Sequence, residues 1–76
     1  MSKKDPKKLI ADAEKQGMPS FTFVAKDKLA TEALQAYWVA CDSERCAPEH
    51  IVGIQQIINE FEAWQRKNLD KVKLPD

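Results

Sequence analysis

Three side chains stand close enough in the chain to invite chemistry. Cys41, Cys46 and His50 give a C-x4-C-x3-H spacing, with Glu44 and Glu49 as the nearest extra ligands. A structural zinc site takes four ligands in tetrahedral array. If Cys41 and Cys46 both lie on one helix, five residues turn it by about 500°, so the thiols point about 140° apart and do not converge. The spacing therefore predicts no metal site. It places Cys41 as a small packed hydrophobe, Cys46 in a turn, and His50 exposed in the first turn of a helix. Cys46 beside His50 is also the one pair resembling an activated nucleophile. Ser20, Ser43 and both thiols lack any surrounding motif, and Gly17 and Gly53 are too few for a phosphate-cradling loop. The expectation is no enzyme, no catalytic residues and no cofactor.

A second cluster suits binding rather than catalysis. Lys26-Asp27-Lys28 lies between an apolar segment and a helix start. Helix starts attract anions through free N–H groups and the macrodipole. Tyr37, Trp38 and Trp64 offer faces on which a ring can stack. Lys26, Asp27, Lys28, Tyr37 and Trp38 are thus the candidate ligand-binding residues. The plainer alternatives are that Asp27 caps a helix and the aromatic side chains fill a core.

The elements that must position these groups are few. Seventy-six residues make one small domain, residues 1–76, with 1–4 and 70–76 as flexible ends. Asp5 and Pro6 begin a short helix, Leu9, Ile10 and Ala13 form its apolar edge, and Gly17 ends it in the left-handed position. Lys3, Lys4, Lys7 and Lys8 crowd the positive end of its dipole, so this helix should be weak. Phe21, Phe23 and Ala25 alternate with Thr22 and Val24, which predicts one short strand over 20–25. A second helix is expected from about Ala30 to Glu44, with Asp27 or Thr31 as cap. Its face is Ala30, Leu34, Tyr37, Trp38 and Cys41. A third starts at Pro48, with Ile51, Ile54, Ile57, Ile58, Phe61 and Trp64 on a stripe wider than a helix pair needs. Gly53 is expected to admit a close neighbour. The fold class is mainly α: short N-terminal helix, one short strand and a long helical hairpin.

A lone strand has no ladder partner in its own chain. It either pairs with the same strand of a second subunit or lies across the helices with its phenylalanines buried. A core this small supplies about 3–5 kcal/mol without staples. Self-association is therefore expected, by strand pairing and helix packing, with Phe21, Phe23, Ile54, Ile57, Phe61 and Trp64 at the subunit interface.

Charge and hydropathy limit the partners. Lys plus Arg number 12 and Asp plus Glu number 12, so the net charge is zero. A general nucleic-acid binder needs a basic excess. The longest apolar run, Ala36 to Cys41, is far short of a membrane span. Two cysteines with no apolar leader point to reduced thiols in a cytoplasm. The ends are basic and the middle, 29–65, is acidic. That pattern fits either a solvated face or antiparallel pairing of subunits.

Residues 19–76 resemble a set of short phage and prophage proteins to which no activity is attached. The resemblance rests on Phe21-Thr22-Phe23-Val24-Ala25-Lys26-Asp27-Lys28-Leu29-Ala30, with its A-x-D-x-L-A pattern. It continues in Tyr37-Trp38, in Phe61-Glu62-Ala63-Trp64, and in an ending, Lys73-Leu74-Pro75-Asp76, of the form K-x-P-D. The resemblance implies a bacterial host cytoplasm and a non-catalytic accessory protein that binds and sequesters or blocks a host component. Its sharpest form is a counter-defence sponge for a nucleotide-derived signalling molecule. The alternative is a small helical homodimer acting as a scaffold or as a direct inhibitor of a host protein.

Overall fold

The computed structural model describes residues 6–75, and Asp5, residues 1–4 and Asp76 lie outside them. Three helices follow in order: α1 over Pro6–Lys15, α2 over Ala30–Ser43 and α3 over Pro48–Lys67. Proline stands at the first position of α1 and of α3, where its missing N–H costs nothing. Glu49 in the first turn of α3 and Arg66 and Lys67 in its last turn complement the helix dipole. The α1 helix has no acid in its first turn, and Lys7 and Lys8 stand there instead.

Two helix ends are built alike. At the end of α1, Gly17 N–H donates to Glu14 C=O and Met18 N–H to Ala13 C=O. At the end of α2, Arg45 N–H donates to Asp42 C=O and Cys46 N–H to Cys41 C=O. Both are Schellman motifs, which require a left-handed residue between helix and exit. Gly17 takes it with φ 66° and Arg45 with φ 57°. Glycine adopts this conformation freely, whereas a residue with a Cβ is strained there.

The core sits inside the α2/α3 hairpin. Cys41, Ile54 and Ile58 are buried, and Leu34, Trp38, Cys46 and Ile51 pack around them. This pair is the one helix–helix contact among the described residues, and α1 stands off from both. The expected broad stripe on α3 is divided as a result. Ile54 and Ile58 face α2, while Ile57 and Trp64 on the flank stay more than a third exposed. Ile54, expected at a subunit interface, belongs to the hairpin core with 5% of its surface exposed.

The expected strand over 20–25 does not form. Residues 18–24 have no regular secondary structure, and no strand is present among the described residues. A strand is a property of a ladder, and nothing in this chain lies alongside the segment. The backbone groups of Ser20, Phe21, Thr22 and Phe23 make no hydrogen bond to any described residue. The alternation still has an effect. Phe21 and Phe23 fall on the same side, and their rings meet edge to face with centroids 5.0 Å apart. Neither ring is buried: Phe21 is 76% exposed.

Gly53 also departs from expectation. A Cβ at this position would meet nothing within 4 Å. No segment among the described residues approaches it closely, so within one copy its flexibility is a cost to α3.

Candidate functional site

The candidate residues fall at opposite ends of the hairpin. At the open end, residues 25–29 turn into α2 and are clasped from two sides. Lys28 N–H donates to Lys73 C=O at 2.8 Å, and Lys73 N–H donates to Lys26 C=O at 3.0 Å. These bonds form an isolated parallel bridge between Asp27 and Lys73. From α3, the Gln65 side-chain amide donates to Ala25 C=O at 3.0 Å and to Asp27 C=O at 3.3 Å. The tail, read from composition as a loose end, is thus tied down at Lys73.

The same clasp uses the helix-start donors. Asp27 Oδ1 accepts from Leu29 N–H at 2.8 Å, and Asp27 C=O accepts from Ala30 N–H. Asp27 therefore closes the turn that leads into α2, rather than occupying the N-cap position, which is Leu29. The Lys28, Leu29 and Ala30 N–H groups already have acceptors within the chain, while those of Thr31 and Glu32 in the first turn have none among the described residues. The Lys26 and Lys28 side chains remain at the surface. The 25–29 segment and Lys73 thus meet in this clasp through backbone groups and Gln65.

At the closed end of the hairpin, Tyr37, Cys41, Cys46 and His50 gather. The Tyr37 hydroxyl and His50 Nε2 are 3.1 Å apart, and the imidazole tautomer decides which donates. Their rings meet edge to face at 5.9 Å. The Schellman turn carries Cys46 back over the end of α2, so it packs on the cluster that holds Cys41. The reason is geometric: Cys46 is outside the helix, where the divergence of about 140° that holds on a helix no longer applies. A hydrogen bond with the Cys41 side chain, then burial, then the neighbouring Cys41 and Glu44 charges, push the Cys46 thiol above its ordinary value. Contact with the Cys41 thiol, burial and the charges of both cysteines raise the Tyr37 phenol likewise. Raised thiols are mostly protonated at neutral pH, the opposite of an activated nucleophile. Among the described residues no group of three or more His, Cys, Asp or Glu side chains is arranged to hold a metal ion.

The five expected ligand residues are not one site. Tyr37 lies seven residues along α2 from Ala30, about 10 Å of helix rise from the clasp, and its hydroxyl is engaged by His50. Trp38 is partly buried against the hairpin core, and its Nε1 is shielded from solvent without an acceptor among the described residues. An unsatisfied buried donor costs about 1–3 kcal/mol. Trp38, with Gln35, Val39, Gln55, Ile58 and Glu62, lines a shallow cleft of about 230 Å³ between the helices.

A larger feature is apolar. Leu9 and Ile10 of α1, Phe21 and Phe23 of the linking segment, Leu34 of α2, and Ile57 and Phe61 of α3 line an open groove of about 340 Å³. The wide stripe on α3 and the Phe alternation both pointed to this face. That Leu9 and Ile10 supply the opposite wall required the path of the chain between helices. Trp64, also expected at an interface, is 37% exposed and does not line the groove.

The chain matches no protein-family model, no curated protein and no solved structure at a significant level. No helix among the described residues is long and apolar enough to cross a membrane.

Proposed function

We propose that this chain is a non-catalytic interaction protein that works as a homo-oligomer, with the apolar groove between α1 and α3 as the surface where two copies meet. The observation that carries the reading is the groove together with its neighbouring backbone. Phe21, Phe23, Ile57 and Phe61 present apolar surface beside four residues whose backbone N–H and C=O groups make no hydrogen bond to any described residue. Two such segments brought together satisfy both needs at once, by pairing backbones and covering rings.

The surface area supports this reading. The chain exposes 6395 Å², whereas a compact monomer of 8.7 kDa exposes about 4,700 Å². The surplus exceeds the roughly 800 Å² per partner of a standard interface. The radius of gyration is 13.8 Å, against about 11 Å for a compact chain of this length.

The sponge form of the function, with a nucleotide at Lys26, Lys28 and Tyr37, draws less support. The Lys28, Leu29 and Ala30 N–H groups there are already engaged, and Tyr37 is two turns away. A host protein that competes for the groove is the natural target of an accessory protein of this kind.

Native mass spectrometry of protein purified from cells, compared with the Phe21→Asp variant, tests the proposal. The expected result is an oligomer free of small molecules that the variant converts to monomer. A monomeric wild type overturns the self-association reading. A co-purified nucleotide lost in Lys26→Ala overturns the groove as the functional site in favour of the sponge.

A further inference from the structure

We propose that Cys41 and Cys46 form a dithiol pair that closes to an intramolecular disulfide on reaction with a small-molecule disulfide such as oxidised glutathione. Backbone geometry brings the pair into range. The two residues hold the first and last positions of the Schellman turn, joined by the Cys46 N–H to Cys41 C=O bond of 2.9 Å. Following standard bond lengths through that bond, the two Cα atoms lie no more than about 6.8 Å apart, within the span of disulfides. The side chains share one cluster, since Cys46 packs on the buried group that contains Cys41. Both are free thiols in this structure.

Their unequal burial sets the order of events. Cys46 is partly exposed and Cys41 is buried. The Cys46 thiol gives up its proton to solvent, and its sulfur attacks one sulfur of the small disulfide. The disulfide's S–S bond breaks, and one glutathione leaves and takes up a proton. The Cys41 sulfur then loses its proton and attacks Cys46 in the mixed disulfide, displacing the second glutathione as a thiol. Two protein thiols lose two electrons in all, and one small disulfide becomes two thiols. The first step is slow, since the neighbouring thiol keeps Cys46 protonated. The second is fast, because the turn already holds the attacking sulfur in place.

The bridge would fasten the end of α2 across its strained residue, Arg45, and remove the free thiol that now touches Tyr37. The chain would thereby record exposure to an oxidising pool at the closed end of the hairpin.

The test uses the full chain under native conditions with excess oxidised glutathione, read by intact mass after alkylation of remaining thiols. The expected product has lost about 2 Da, two hydrogens, and takes up no alkylating agent. The Cys41→Ser variant should stop with one glutathione on Cys46. A wild type that accumulates the mixed disulfide, links two chains, or keeps both thiols alkylatable overturns the proposal. Should Cys41→Ser fail to fold, the wild type alone decides. Closure of its mixed disulfide should slow by about tenfold or more in denaturing urea, where the turn is lost. Equal closure rates in native and unfolded chains would mean that sequence proximity alone brings the sulfurs together.

Discussion

The hairpin and the segment before it are made from similar material and behave differently. Both α1 and α2 end in the same hydrogen-bond pattern, and both carry an apolar edge at helical spacing. Yet α2 packs on α3 around Cys41, Ile54 and Ile58, while α1 packs on neither helix. The difference teaches that local signals are sufficient to start and stop a helix but not to hold it. Short helices owe most of their stability to tertiary contacts, and α1 has only Ala13 buried, with lysines at the wrong end of its dipole. The hairpin should therefore be the folded unit, and the N-terminal arm the part whose order depends on whatever fills the groove.

The strongest way to break this comparison is to remove the hairpin core. Ile58 is 3% exposed, and Ile58→Ala should cost about 2–4 kcal/mol, most of what so small a core supplies. Urea denaturation followed by circular dichroism should show loss of all helical signal at low denaturant. Leu9→Ala, on the half-exposed face of α1, should leave the monomer's stability within about 0.5 kcal/mol while weakening self-association in sedimentation. If Leu9→Ala unfolds the chain as Ile58→Ala does, the arm and the hairpin are one cooperative unit and the contrast fails.

The two left-handed residues sharpen the contrast, because the same backbone energy is spent in different regions. Arg45→Gly relieves strain in the hairpin turn and should raise global stability by about 1 kcal/mol. Gly17→Ala imposes the same strain on α1, where φ is 66°. It should leave the global midpoint nearly unchanged but raise amide hydrogen exchange across 6–16 by about fivefold. A global loss in Gly17→Ala would show that α1 contributes to the main transition.

These differences also mark what could be read in the sequence. Helix positions were legible because their signals are local: Pro6 and Pro48 at the starts, Gly17 past an end, and isoleucines at helical spacing. Both ends of α2 and the start of α3 fall within one residue of expectation. The strand was misread because alternation reports a common side for Phe21 and Phe23, not the presence of a partner. The clasp was invisible because Gln65 and Lys73 lie about forty residues from the carbonyls and amides they meet, and backbone bonds leave no pattern in residue types. Cys41 is buried and Cys46 lies in the turn, as their sequence positions indicate. That the turn carries Cys46 back onto the cluster of Cys41 is not legible, because Arg45 takes the left-handed position that glycine ordinarily announces.

Gly53 is a smaller test within the hairpin. The site is helical and open, so Gly53→Ala should stabilise by about 0.5–1 kcal/mol. Thermal unfolding should show a rise in Tm, whereas a fall would mean that something unseen in the isolated chain, such as a second copy, approaches α3 there.

The smallest expected effect is the dependence on alkaline pH. The folded state holds the Cys46 thiol above its ordinary value of 9.0, chiefly through its bond with Cys41. The unfolded chain therefore loses this proton first as pH rises. The contribution is fully present below the unfolded value and is lost as pH climbs through the raised folded value. Stability should decline above about pH 9, and Cys46→Ser should flatten that decline while leaving the neutral region little changed. Because the thiol is near the surface, the slope should be shallow. A decline of equal steepness in Cys46→Ser would assign the alkaline limit to Tyr37, whose phenol is also raised, and separate the thiol pair from the stability of the hairpin it closes.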